Sequence, residues 1–272
     1  MHRTIKGIAL GAGALAITAF LSGCGSQSED SNTVSVGVIA GPEEELMEVA
    51  KQIAKERYNL NVNIVEFNDY VAPNSALADG SIDTNAYQSQ PYMDAMIKDR
   101  GLDLTAMPNG HTFIYPIGGY STKHDSLSDL PDGATIAIPN DPANGARGLL
   151  ILAKAGLIEL NDPNNISASV DDITANPHHF KFEELEGPQI PRSLDDVDLA
   201  FINNTFAEPA GLQLSDALIA EDADSPYVNI FAVRKGDEEN EKIRHLVDAF
   251  QTDDVAEKAH DLFGDGAIPG WK

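Results

Sequence analysis

The sequence predicts an α/β protein of two lobes with a ligand cleft between them. Three observations carry that expectation. Apolar runs of strand length alternate with amphipathic helical stretches through most of the chain, the pattern of βαβ units and a parallel sheet. Segments marked by Gly and Pro, Tyr115-Pro116-Ile117-Gly118-Gly119 and Ser225-Pro226-Tyr227, read as two crossings between lobes. Finally, 272 residues with 42% hydrophobic and 22% charged content are enough for two domains and a sizeable core. Two crossings give a discontinuous first lobe, residues 33–114 plus 226–272, around a second, residues 115–225. Such a protein keeps its ligand between the lobes and closes by a hinge.

The N-terminus has a different character. His2, Arg3 and Lys6 give a positive start, Ile8 to Phe20 is apolar and rich in Ala and Gly, and Leu21-Ser22-Gly23-Cys24 follows. The apolar run is short for a membrane span and reads as a secretory signal over residues 1–23. Leu-Ser-Gly-Cys resembles the lipobox of bacterial lipoproteins, which makes Cys24 the acylated first residue of the mature chain. Cys24 is the only cysteine, so none is left for a disulfide, a thiol nucleophile or a zinc-thiolate site. The small polar residues up to Asn32 then form a tether, 24–32.

Removal of the leader takes away two cations and no acid. Sixteen Lys and Arg then face 43 Asp and Glu, a net charge of −27. So acidic a surface excludes nucleic acid as a partner and disfavours adsorption to anionic lipid. Membrane attachment is therefore expected through acyl chains, several of which anchor stably.

The first strand is expected at Thr33 to Ile39. Gly41-Pro42 opens a helix whose Glu43, Glu44 and Glu45 suit the positive end of its dipole and whose stripe is Leu46, Val49, Ala50 and Ile53. A second strand runs from Val62 to Phe67. Further segments follow at Ser81 to Asn85, a helix at Tyr92 to Arg100, and extended runs at Leu102 to Met107 and His111 to Tyr120. Val197 to Ile202, ending at Asn203, is another strand, and Val228 to Val233 the last. Helices near Glu238 to Phe250 and Asp253 to Phe263 close the chain.

The stretch from Ala134 to Leu157 is the organising element. Thr135 to Ile138 reads as a buried strand that breaks at Pro139-Asn140-Asp141-Pro142. Asp141 is a good N-cap, Pro142 a good first helical residue and Gly156 a stop, with Leu149, Leu150, Leu152 and Ala155 facing inward. A strand feeding a helix in this way presents backbone N–H groups to an anion. Arg147 lies in the first turns, where its guanidinium suits a carboxylate or a phosphate, the alternative being a surface residue of an ordinary strand–turn–helix unit. Gly145 and Gly148 beside it imply that something approaches the backbone closely.

Aromatic residues concentrate between positions 67 and 120. Tyr70, Tyr87 and Tyr92 stand at a strand exit, a loop and a helix start among Asn68, Asp69, Asn74, Asn85 and Gln88, a setting for a cleft wall, whereas Phe67 and Phe113 read as core.

Several blocks carry a family resemblance. Phe67-Asn68-Asp69-Tyr70-Val71-Ala72-Pro73-Asn74-Ser75-Ala76-Leu77, Ile82-Asp83-Thr84-Asn85-Ala86-Tyr87-Gln88, Tyr115-Pro116-Ile117, Pro139-Asn140-Asp141-Pro142 and Pro191-Arg192-Ser193-Leu194-Asp195-Asp196-Val197-Asp198 resemble the NlpA-type methionine-binding lipoproteins of ABC importers. The likeness extends from the lipobox to Gly270-Trp271. It implies a two-lobed, type II periplasmic-binding-protein-like fold and delivery of an amino acid, methionine first, to an ABC importer permease from the outer side of a membrane. It further implies that Arg147 holds the ligand carboxylate, that Asn203 and Asn144 bind its carboxylate or amino group, and that Tyr70, Tyr87 and Tyr92 wall the side-chain pocket. One departure stands out. Where the family has Phe-Gln-His, this chain has Tyr87-Gln88-Ser89, so Ser89 shortens a cleft residue and bears on selectivity.

No catalytic motif is present: G-x-S-x-G, H-E-x-x-H, the P-loop and G-x-G-x-x-G are all missing. No enzyme activity and no cofactor are expected. A metal-carrying lipoprotein is the main alternative, but His111, His124, His178, His179, His245 and His260 are scattered, and the His178-His179 pair reads as a solvated loop. A surface lipoprotein that keeps the fold without transport is a third reading. Asp195, Asp196 and Asp198 read as a turn before a strand.

Overall fold

A computed structural model describes residues 32–223 and 225–272. The expected leader, Cys24 and the tether up to residue 31 lie outside the described residues. β1 (Thr33–Ile39) buries alternate side chains at first and then both faces. Gly41 turns the chain with φ 110, a conformation that a Cβ disfavours. Pro42 then starts α1 (Pro42–Tyr58), which buries Leu46, Met47, Ala50, Ile53 and Ala54, with Val49 only partly covered. Glu43 is buried as well and is not the exposed dipole partner that its position suggested. β2 (Asn61–Phe67) pairs parallel with β1 along all seven residues.

The next element was hidden in the sequence. α2 (Ala72–Ala78) begins where Asp69 Oδ1 accepts the N–H groups of Val71 and Ala72 at 2.7 and 2.8 Å, so a turn-like Asp starts a helix. β3 (Thr84–Ser89) is buried on both faces and runs directly into α3 (Gln90–Arg100), which stops at Gly101. β4 (Leu104–Ile114) is one long strand where two segments were expected. It passes through Pro108-Asn109-Gly110 by breaking register with its neighbour.

β5 (Gly118–Tyr120) and β6 (Thr135–Pro139) lead to α4 (Pro142–Lys154). A short hairpin of β7 (Glu159–Leu160) and β8 (Ile173–Ala175) follows, then β9 (Lys181–Leu185) and β10 (Leu199–Ile202). The short α5 (Asn204–Ala207) and β11 (Ile219–Ala220) precede β12 (Val228–Arg234). α6 (Glu241–Phe250), α7 (Asp253–Phe263) and β13 (Ile268–Pro269) end the chain, so the strand at Val228 is not the last.

The strands form two main sheets, the frame of a two-lobed α/β fold. The first has the order β13-β4-β12-β3-β1-β2 and draws on residues 33–114 and 228–269. The second has the order β11-β5-β10-β6-β9, from residues 118–220. Neither is wholly parallel. β12 runs antiparallel to β3 and β4, and β5 antiparallel to β10, because each belongs to a segment entering its sheet from the opposite end. α1, α6 and α7 cover one face of the first sheet around Phe113, Phe231 and Phe250, and α4 covers the second around Leu149, Leu152 and Phe201. Among the described residues no helix is long and apolar enough to cross a membrane.

Candidate ligand-binding cleft

α4 begins as its sequence dictates. Asp141 caps it by accepting the Asn144 N–H at 2.9 Å, with Pro142 in the first turn. Leu149 and Leu152 point into the core, whereas Leu150 is half-buried and Ala155 exposed, because the helix ends at Lys154 before Ala155 can turn inward. Gly145 and Gly148 are explained by internal packing. A Cβ on Gly145 would stand 2.7 Å from the Pro139 carbonyl oxygen, and one on Gly148 would press on Phe201 and Ile138. The close approach that the sequence implied is therefore by strand β6 and its neighbour β10.

Seven residues singled out from the sequence line one pocket: Tyr70, Tyr87, Ser89, Tyr92, Asn144, Arg147 and Asn203. They come from both sheets. Tyr70 follows β2, Tyr87 and Ser89 lie on β3 and Tyr92 on α3, while Asn144 and Arg147 lie on α4 and Asn203 caps α5. Gln88, Tyr115, Asn204, Thr205 and Asn229 complete the lining. The space they leave is about 20 Å³, room for about one water molecule. A ligand with a side chain therefore enters only when the lobes part.

The aromatic wall is held by its own hydroxyls. Tyr87 and Tyr92 both donate to the Tyr70 carbonyl, at 2.5 and 2.9 Å, so their rings rather than their hydroxyls face the cleft. The Tyr70 ring lies 5.6 Å from Tyr87, 5.8 Å from Tyr92 and 4.9 Å from Phe206 of the second lobe. Burial pushes the Tyr87 and Tyr92 phenols well above their ordinary range and keeps them neutral donors. Behind this wall Asn74, Asn85 and Gln88 satisfy one another in a closed amide network, with bonds of 2.6 to 3.0 Å. Ser89 is buried and caps α3 through a long 3.5 Å contact from the Tyr92 N–H.

The polar end of the pocket turns on Asn144. Its amide nitrogen donates to both Asp141 oxygens, at 3.1 and 3.0 Å, and its Oδ1 accepts from Arg147 Nη1 at 3.2 Å and from Asn203 Nδ2 at 2.9 Å. Asn144 thereby fixes Arg147 and Asn203 side by side, with its own polar atoms engaged. Burial raises the Asp141 carboxyl above the usual range, against the pull of the Asn144 groups and Arg147. Arg147 also donates from Nη2 to the Tyr115 carbonyl at 2.7 Å and lies 4.7 Å over the Tyr227 ring.

The sequence reading missed Arg147's counter-ion. Glu221 takes Nε at 3.1 Å and Nη2 through its other oxygen, and both side chains are largely buried. Glu221 sits 74 residues away in an acidic run that reads as a solvated loop, so no local signal marks it. Asn229, which donates to the Tyr87 carbonyl at 2.8 Å, was missed because it sits inside an expected strand with nothing local to mark it. One pocket atom is left over: Asn203 Oδ1 is buried with no hydrogen-bond partner. A cation and a vacant acceptor thus stand together, their charge balanced by Glu221 behind them.

The other candidates lie elsewhere. His178 is half-buried, faces Asp132 at 3.3 Å and stacks on Phe180. Asp195 and Asp196 are exposed, while Asp198 accepts the Thr135 N–H at 2.8 Å and pairs with His124 at 3.1 Å. Among the described residues no group of three or more His, Cys, Asp or Glu is placed to hold a metal ion.

The sequence profile of the NlpA lipoproteins matches residues 34–271. The chain belongs to the NlpA lipoprotein family. Within that family, the D-methionine-binding lipoprotein MetQ of Escherichia coli strain K12 is 48% identical over 262 residues, covering 95% of this chain and 96% of its own. The crystal structure of a methionine-binding protein, MetQ, superposes with a TM-score of 0.85 at 48% identity over 89% of this chain and 99% of that one. A nutrient-binding protein from Burkholderia cenocepacia, solved bound to methionine, gives 0.84 at 43% identity over 87% and 99%. NlpA lipoproteins of this kind are substrate-binding proteins and not enzymes.

Proposed function

We propose that this chain is the lipid-anchored binding protein of an ABC importer and that its ligand is methionine. The observation that carries the reading is the convergence of Arg147 Nη1 and Asn203 Nδ2 on the Asn144 side-chain oxygen, which leaves Asn203 Oδ1 buried without a partner next to a wall of three tyrosines. That arrangement complements an amino-acid zwitterion. Arg147 takes the carboxylate through Nη1, its fork being held by Glu221, and Asn203 accepts from the ammonium. Tyr70, Tyr87 and Tyr92 cover the thioether tail, whose burial contributes about 0.8 kcal/mol per methylene. The names and the bound ligand of the relatives support the same choice. A micromolar dissociation constant corresponds to about −8 kcal/mol, which one charged contact, a few hydrogen bonds and a short tail supply.

The lobes in this reading are residues 33–114 with 226–272 and residues 115–225, hinged at the two crossings. Cys24 carries the acyl anchor on the outer side of the membrane, and the loaded, closed form is what the permease receives. Calorimetric titration with L- and D-methionine tests the reading: saturable one-to-one binding is expected, and no binding of either isomer overturns it. Cys24→Ser is expected to move the protein from the membrane to the soluble fraction. Retention in the membrane contradicts the anchor.

Ser89 sets the fit of the side chain. Ser89→His fills part of a pocket that is already tight and removes a weak cap, so the ratio of methionine to leucine affinity is expected to change by roughly tenfold, the scale of one or two methylenes. An unchanged ratio in competition titrations means that position 89 does not touch the ligand.

A further inference from the structure

Behind the pocket, a contact joins the two lobes. Thr205 on α5 donates from Oγ1 to Glu43 Oε1, at the start of α1, at 2.8 Å, and each residue is only 4% exposed. The same short segment grips the first lobe twice more. Asn204 Nδ2 donates to the Gly266 carbonyl at 2.5 Å, and the Phe206 ring lies 4.9 Å from Tyr70. Asn203, the residue with the vacant acceptor, immediately precedes these three. Anything that loosens α5 from the first lobe therefore moves Asn203.

We propose that Glu43 is a positioning residue for ligand binding: with Thr205 it clasps α5 across the cleft, holds Asn203 over the bound amino group, and couples closure to the uptake of one proton. The proposal rests on the amino-acid-binding reading above.

The surroundings of Glu43 supply the reason. Its Oε2 is buried without a partner. Facing it are the Thr205 hydroxyl from α5, the backbone of Ile39 at the end of β1, and the phenols of Tyr70 and Tyr115. On its own helix stand Glu44 and Glu45. Lys258 of α7 pairs with Glu45, at 2.6 Å, and Glu208 beyond α5 faces Glu45 as well. None of the groups that act on Glu43 is a cation. Burial pushes its carboxyl up from 4.5 to about 8, against the hydrogen bonds from Thr205 and Ile39 that favour the charged form. The N-terminal dipole of α1 opposes it in the same way.

Parting of the lobes removes Thr205 and admits water, which returns the carboxyl toward its ordinary value. The closed form then holds a proton that the open form lacks between those two values. A raised carboxyl disfavours closure as pH rises through this window. Affinity is fully expressed near pH 4.5, falls by at most about tenfold per pH unit, and levels off above about 8.

The test is calorimetric titration of the full chain in detergent with methionine between pH 5.5 and 7.5, in two buffers of different ionisation heat. The expected result is a dissociation constant that weakens by roughly tenfold or more over that range, with net proton uptake on binding. Glu43→Gln keeps the hydrogen bond to Thr205 and is expected to bind with a flat profile and no uptake. Thr205→Val is expected to weaken binding at pH 5.5. A flat wild-type profile, or the same slope in Glu43→Gln, overturns the proposal. Failure of methionine to bind at any pH refutes the ligand reading alone, and the clasp is then decided by thermal unfolding. Wild type is expected to lose several degrees relative to Glu43→Gln between pH 5.5 and 7.5; parallel curves overturn it.

Discussion

Arg147→Ala is expected to weaken methionine binding by at least about 100-fold, roughly 3 kcal/mol, because it leaves the ligand carboxylate unpaired in a closed cleft. The loss has a second component. Arg147 is also the buried partner of Glu221, so its removal strands a carboxylate whose side chain is only 11% exposed. Breaking such a pair costs about 3 kcal/mol of stability. The two effects separate in the double variant Arg147→Met with Glu221→Gln, in which no charge is stranded. Its thermal midpoint is expected to recover toward wild type while its affinity stays low. Calorimetry and thermal unfolding on the three proteins check this, and affinity close to wild type in Arg147→Ala removes Arg147 from the site.

Asn203→Ala has the next largest expected effect, about 2 kcal/mol or some 30-fold in affinity. It deletes the vacant Oδ1 and the donor that Asn144 holds at 2.9 Å. The assignment to the ammonium is checked by a double-mutant cycle with a ligand that lacks the amino group. Wild type is expected to lose about as much affinity on removal of the amino group as on loss of Asn203, and the variant to be nearly indifferent to it. Fully additive losses place the amino group elsewhere.

The elements that were legible in the sequence are those whose pattern is local. β1, α1 and β2 are marked by a buried alternation, a Gly-Pro entry and an apolar stripe, and α4 by a capping Asp before Pro. The misses have physical causes. β9 (Lys181–Leu185) is an edge strand with one face in water, so its charged residues read as loop. α2 is started by an Asp that equally well begins a turn. β4 crosses a Pro-Asn-Gly sequence that signals a reversal; Asn109 takes a left-handed φ of 57 there, and the strand continues because pairing with β12 resumes on either side. The antiparallel entries of β5 and β12 depend on chain path, which no local pattern encodes.

The candidate site divides in the same way. Arg147, Asn144 and the tyrosines stand beside helix caps and strand ends, where the local chain announces a cleft. Glu221 and Thr205 act through partners 74 and 162 residues away, and Glu43 looked like an ordinary dipole partner on an exposed first turn. Their roles follow from the tertiary fold, which buries a carboxylate against Arg147 in one case and against a neutral hydroxyl in the other.

The most direct test of the account is a calorimetric titration of the detergent-solubilised full chain with L- and D-methionine, beside Arg147→Ala under the same conditions. The account predicts one-to-one binding at micromolar or tighter affinity in the wild type, weakened at least about 100-fold in the variant. No binding in the wild type, or equal affinity in the two proteins, contradicts it.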